Sequence, residues 1–201
     1  MNGTVFLVDD DEAVLRSLGD ILSADGLLVR AFDSAEALLA GCDKQSEGCI
    51  VLDIRLPGMD GLDAQALLSA YGIQMPIIFL TGHGEVQQSV RAMKAGAYDF
   101  LQKPVAADTL LARVYAALML DQRRVHERSE KEGARERLAR LTPREHEVLN
   151  QLLQGASSKE IAKQFGLSPR TVDVHRKNIL VKCQVSSLLE LSALQHRSNG
   201  N

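Results

Sequence analysis

The stretch CIVLDIRLPGMDG, residues 49–61, decides the fold. Cys49–Leu52 is a short, nearly continuous apolar run, the pattern of a strand buried on both faces. It runs straight into a carboxylate, Asp53, and a helical pattern follows over Leu62–Ala70. Working outward, Thr4–Val8, Leu27–Phe32, Pro76–Leu80 and Tyr98–Leu101 also read as short strands. Helical patterns lie at Ala13–Ala24, Ser34–Ala40, Val86–Ala95 and Asp108–Leu120. Ser34 stands where an N-cap belongs, and Gly72 and Gly96 sit just past helical runs, where a left-handed C-cap residue belongs. Five βα units in succession predict an α/β fold: a doubly wound, five-stranded parallel sheet covered by helices on both faces.

The charge changes sign along the chain. Residues 1–121 hold 17 Asp and Glu against 8 Lys and Arg, net −9; residues 122–201 hold 9 against 15, net +6. An acidic half joined to a basic half predicts two jobs, the basic one facing a polyanion. No apolar run approaches the ~20 residues of a membrane helix, so no membrane partner is expected. The N-terminus has no basic start or small-residue cleavage site. Three cysteines, Cys42, Cys49 and Cys183, form no metal or CxxC pattern, which reads as reduced thiols in a cytoplasm; a Cys42–Cys49 bridge is the lesser alternative.

Residues 122–140, QRRVHERSEKEGARERLAR, interleave opposite charges. Glu127–Lys131 and Arg128–Glu132 are i,i+4 pairs that favour a solvated helix, while Gly133 weakens it by about 1 kcal/mol relative to Ala. The stretch reads as a helical linker, either continuing the preceding helix or broken at Gly133. Beyond it only helices are predicted. Thr142-Pro143-Arg144-Glu145 combines an N-cap, a first-turn proline and an early acid. That helix stops at Gly155. Ser157 or Ser158 caps a short helix over Lys159–Phe165, Gly166 ends it, and Ser168-Pro169 opens a third running to Cys183. A fourth starts at Ser187. A short helix, a tight glycine turn and a second helix form a helix-turn-helix.

Open parallel sheets bind ligands beyond the carboxyl ends of their strands. There lie Asp9, Asp10, Asp11 and Glu12, then Asp53, then Thr81 in Thr81-Gly82-His83-Gly84, then Lys103 before Pro104. Asp11 and Glu12 read as loop or capping acids. The glycine loop does not follow the first strand, so it is no dinucleotide fingerprint. Clustered carboxylates raise one another's pKa unless a cation neutralises them. A few hard oxygens suit Mg²⁺, which favours phosphoryl groups. A carboxylate can attack phosphorus to give an acyl phosphate, with metal and lysine stabilising the transferring charge.

VDDDE, VLDIRLPGMDG, FLTGHG and DFLQKP resemble the signatures of the response-regulator receiver domain, over about residues 3–121. The resemblance implies a flavodoxin-like fold with Asp53 as phosphoacceptor. It makes Asp10 a direct metal ligand together with Asp53 and the backbone carbonyl of Arg55, and gives Asp9 a role through water. Thr81 and Phe100 become switch residues and Lys103 the phosphate-contacting amine. It further implies Mg²⁺ or Mn²⁺, a cis Lys103–Pro104 bond, a cognate sensor histidine kinase and a homodimer on phosphorylation.

On the third basic-half helix, Arg170, Asp173, Val174, Lys177, Asn178 and Val181 form an i, i+3, i+4, i+7 stripe able to face the major groove, with Val172, Ile179 and Cys183 turned to the core. Lys177 and Asn178 suit guanine and adenine edges, and Val174 a thymine methyl. Lys159, Arg170, Arg176 and Lys182 suit phosphates, as does Thr171 near the helix start. His175 reads as structural. Asp173 either reads a cytosine amino group or stays clear of the DNA. LTPREHEVL, GASSKEIAKQFGLSPRTVDVHRKNILVKC and the last helix resemble the LuxR-type output domain of the NarL/FixJ family, over about residues 138–197, and SPRTVDVHRKNI is similar to the FixJ subgroup. Cys183 departs from the larger apolar residue usual there. The expected organisation is a receiver domain at 1–121, a charged helical linker at 122–137 and a DNA-binding domain at 138–201. The expected partners are double-stranded promoter DNA and, as a further one, RNA polymerase. A Mg²⁺-dependent aspartyl phosphatase is the competing reading, but such enzymes need a second acid where this chain has Arg55. No external substrate turnover is therefore expected.

Overall fold

The computed structural model describes residues 3–82 and 86–199. The chain divides into two units, Met1–Val125 and His126–Asn201. In the first, strands β1 (Thr4–Val8), β2 (Leu28–Phe32), β3 (Cys49–Asp53), β4 (Ile77–Thr81) and β5 (Asp99–Gln102) alternate with helices α1 (Glu12–Ala24), α2 (Ala35–Gly41), α3 (Gly61–Ala70), α4 (Val86–Lys94) and α5 (Ala107–Ala139). The strands form one parallel sheet in the order β2-β1-β3-β4-β5. Strand order reverses at β1, so the crevice between the ends of β1 and β3 is where such a sheet receives its ligand.

Side-chain alternation builds two cores, one on each face. Phe6, Val8, Ile50, Leu52 and Phe79 pack with Ala35 and Leu38 of α2, Ala64 and Leu68 of α3 and Ala92 of α4. Val5, Leu7, Val51, Ile78 and Leu80 pack with Leu18 and Leu22 of α1 and Leu110, Val114 and Leu118 of α5. Each large side chain so buried contributes about 1.5–3 kcal/mol. Strands β1 and β2 end where the sequence pattern predicts, whereas β3, β4 and β5 each end one residue later. Asp53 pairs with Leu80 and Thr81 with Gln102, so these polar residues close the ladder instead of following it.

Helix starts follow local chemistry. Asp11 caps α1 by accepting from Ala13 N at 2.8 Å, and Asp60 caps α3 through Asp63 N at 2.8 Å. Ser34 holds the N-cap position of α2 but makes no capping bond; its hydroxyl donates to Asp33 at 2.8 Å. Gly72 and Gly96 take the left-handed conformation past their helices, with φ of 76° and 91°. A polar tie joins two helices of this unit. The buried Gln65 amide on α3 donates to the Ala95 carbonyl at 3.2 Å and, more weakly, to Ala92 at 3.4 Å, holding the C-terminal end of α4.

In the second unit, α6 (Pro143–Leu153), α7 (Ser158–Phe165), α8 (Pro169–Cys183) and α9 (Leu188–Asn199) follow the last turns of α5. They share a core of Ala134, Leu138, Val148, Leu149, Ile161, Val172, Ile179, Leu191 and Leu194, which Cys183 joins fully buried. Helix α5 runs unbroken through Gly133. Thr142 with Glu145 and Ser157 with Glu160 form reciprocal capping boxes, so Ser157, not Ser158, caps α7. Gly166 (φ 66°) and Ser168 turn the chain into α8. All three cysteines are free thiols, and burial pushes Cys49 up to about 12. Among the described residues, no helix is long and apolar enough to cross a membrane.

Candidate functional site

The acidic rim assembles at the C-terminal ends of three strands, β1, β3 and β5. Asp9, just past β1, is fully buried. Its Oδ1 accepts from Asp11 N at 3.1 Å. Asp53, the last residue of β3, is 8% exposed, and its Oδ1 accepts from Arg55 N at 3.0 Å. Asp10 is exposed beside them, and ligand oxygens of Asp9, Asp10 and Asp53 lie within 4.8 Å of one another. Lys103, brought in by the end of β5, bridges two of the acids: Nζ is 2.6 Å from Asp53 Oδ2 and 2.5 Å from Asp9 Oδ2. The bond to Asp53 is a well-formed hydrogen bond, whereas the approach to Asp9 Oδ2 is an ion pair without that alignment.

Electrostatics follow from the burial. Desolvation raises the Asp9 pKa, against the opposing pull of Lys103 and the Asp11 amide. Burial works against the Lys103 ammonium too, but its pairing with Asp53 and Asp9, and their charges, outweigh that and raise its pKa. Three carboxylates meet one ammonium here, a formal excess of two negative charges in the cluster. A divalent cation is the group that this all-oxygen donor set fits.

Around the cluster, Thr81 is buried and its hydroxyl donates to the Leu101 carbonyl at 3.4 Å. The Lys103 amide donates to the Thr81 carbonyl at 2.8 Å, tying both loops together, and the Lys103–Pro104 bond is cis as the resemblance implies. Phe100 is 45% exposed on the outside of β5. His83 and Gly84 of the glycine loop lie outside the described residues. Gly61, at the start of α3, lies against the end of β3: a Cβ there would come 2.4 Å from the Asp53 carbonyl oxygen. Asp11 and Glu12 stay out of the cluster as predicted, Asp11 as a cap.

In the second unit, α8 presents the stripe that the sequence predicts. Arg170, Asp173, Lys177 and Asn178 are exposed, as are Val174 and Val181, while Val172, Ile179 and Cys183 are fully buried. Arg176 and, on α7, Lys159 are exposed as well. Ser168 caps α8 and shares a 2.8 Å hydroxyl pair with Thr171. Two residues have partners that the sequence reading lacks. Asp173 accepts from the Ser158 hydroxyl at 2.8 Å. Lys182 turns inward, 2.6 Å from Glu145, whose carboxylate also receives Thr142 N at 2.8 Å. Lys182 thus joins the start of α6 to the end of α8 through Glu145, with its side chain 35% exposed. The capping box was visible in Thr142–Glu145, but nothing local announces its partner 37 residues away.

Two family models match. Residues 5–115 match the response regulator receiver domain, and residues 139–194 match the bacterial regulatory proteins of the luxR family. Together with the fold and acidic rim, these define the chain as a response regulator with a receiver and a LuxR-type DNA-binding domain. It belongs to the family of transcriptional regulatory response regulators that includes FixJ. It is 39% identical over 196 residues to the transcriptional regulatory protein FixJ of Bradyrhizobium diazoefficiens, covering 98% of this chain and 96% of that one. It is 43% identical to the transcriptional regulatory protein TdiR of Thauera aromatica, covering 94% and 83%. The solved structure of the response regulator StyR superposes with a TM-score of 0.92 at 39% identity, covering 98% of this chain and 100% of that one.

Proposed function

We propose that this chain is a transcription factor switched by phosphorylation of Asp53, with a cognate sensor histidine kinase as donor. The observation that carries the reading is the convergence of Asp9, Asp10 and Asp53 within 4.8 Å, with Lys103 bridging two of them. Asp10, Asp53 and the Arg55 carbonyl would hold Mg²⁺ or Mn²⁺, with Asp9 acting through water. The ion would supply charge neutralisation for the acidic cluster and the incoming phosphoryl group. An Asp53 carboxylate oxygen attacks phosphorus while the bond to the kinase imidazole breaks, giving an acyl phosphate and free histidine. Lys103 exchanges its ion pair with Asp53 for one with the phosphoryl oxygens. Thr81 turns its hydroxyl from the Leu101 carbonyl to the same group, and Phe100 follows it inward.

The modified receiver then pairs with a second copy, so that two α8 helices reach two DNA half-sites about one helical turn apart. Lys177, Asn178 and Val174 meet base edges, while Lys159, Arg170, Arg176 and Thr171 meet phosphates. We place this in a cytoplasm, with RNA polymerase as a further partner and no turnover of an external substrate. Acetyl phosphate with Mg²⁺ is expected to add one phosphoryl group to the wild type and none to Asp53→Asn, by intact mass. The wild type alone is expected to dimerise by sedimentation. An unmodified wild type, or a mutant that dimerises equally, contradicts the reading.

A further inference from the structure

Asp173 is the only acid in α8, PRTVDVHRKNILVKC, and it stands on the exposed stripe beside Val174 and Lys177. A carboxylate there repels DNA phosphates, so an acid tolerated at this place needs a partner in the groove or in the protein. It has one in the protein: the Ser158 hydroxyl, on the first residue of α7, donates to Asp173 Oδ1 at 2.8 Å. That bond holds the carboxylate in one orientation and leaves the second oxygen with its acceptor capacity.

An ionised carboxylate can only accept hydrogen bonds. In the major groove guanine offers the acceptors N7 and O6, and thymine offers O4, so both repel it. Adenine offers N6–H₂ but sets its own N7 acceptor beside it, whereas cytosine offers N4–H₂ and carries no acceptor of its own in the groove. We propose that Asp173, oriented by Ser158, is a specificity-determining residue that requires cytosine at one position of each half-site. The inference rests on the DNA-binding reading above and deepens it. Ser158 is then a positioning residue: it touches no base and acts by fixing the carboxylate.

The test is selection from a randomised duplex library by the full chain, treated with acetyl phosphate and Mg²⁺. Wild type, Asp173→Ala, Asp173→Asn and Ser158→Ala are compared. The wild-type motif is expected to carry a cytosine preferred about tenfold over other bases at one position per half-site. Asp173→Ala is expected to flatten that position and leave the rest of the motif intact. Asp173→Asn, which can both donate and accept, is expected to move the preference to adenine, whose N6 and N7 an amide can pair together. Ser158→Ala is expected to blur the cytosine preference without replacing it. A motif unchanged in Asp173→Ala and Asp173→Asn, with all duplexes bound uniformly more tightly, makes the carboxylate a mere repulsive charge and overturns the proposal. A wild type that enriches no motif at all instead brings down the DNA-binding reading on which it rests. Because Asp173→Asn is isosteric and keeps an acceptor for Ser158, it decides the matter even if Asp173→Ala fails to fold.

Discussion

Gly61 touches the backbone of Asp53, the proposed phosphoacceptor. A methyl group at this position would meet the Asp53 carbonyl oxygen at 2.4 Å and Ile54 Cα at 3.1 Å, both backbone atoms that yield only if the strand moves. Gly61→Ala is therefore expected to cost about 1–3 kcal/mol by overpacking and to slow phosphoryl uptake from acetyl phosphate. A urea midpoint and an uptake rate equal to those of the wild type would refute this. The acids and Lys103 were legible in the sequence because each follows a strand pattern, and open sheets gather such residues on one rim. The role of Gly61 was not, because it depends on where a carbonyl points. Asp173 and Lys182 divide the same way. Their exposure or charge could be read from helical spacing, but their partners Ser158 and Glu145 lie on other helices and come near only through packing.

Helices α6 and α8 are fastened by a buried acid. Burial alone would raise the Glu145 carboxyl; the hydrogen bond from Lys182 and those from Thr142 outweigh it and hold the carboxyl below its ordinary value of 4.5. A depressed folded-state pKa gives stability that is present above the unfolded value and lost as pH falls through the folded one. Wild type is thus expected to lose stability below about pH 4.5 through this group. Glu145→Gln is expected to be less stable at neutral pH and to show a shallower loss in acid, by urea titration followed at several pH values. Parallel pH profiles for the two proteins would contradict this. Helix α5 gives the opposite lesson. The charged stretch after residue 121 left open whether Gly133 breaks it, and the helix continues. A Cβ at Gly133 would meet nothing within 4 Å. Gly133→Ala is accordingly expected to stabilise the chain by about 0.5–1 kcal/mol, seen as a higher melting temperature; an unchanged or lower one would count against a helical Gly133. Boundaries, by contrast, were legible to within a few residues wherever Ser, Thr or Asp caps and glycine stops punctuate the apolar pattern.

At the scale of the whole chain, the charge partition separates an acidic receiver, net −9 over residues 1–121, from a basic remainder, net +6. DNA affinity should then fall steeply with salt, because each phosphate contact releases counterions. Arg176→Ala is expected to lower the slope of log affinity against log salt by about 1 while leaving the sequence preference unchanged. A changed preference with an unchanged slope would make Arg176 a base contact. The hydrophobic interiors are separate as well. Two cores line the sheet with residues from 5 to 118, and the third uses residues from 134 to 194. Among the described residues, each of these three clusters is built from side chains of one half of the chain. A lineage can thus re-aim its DNA head, or answer to a new sensor, by exchanging one half, and the retained half keeps the described cluster around which it condenses.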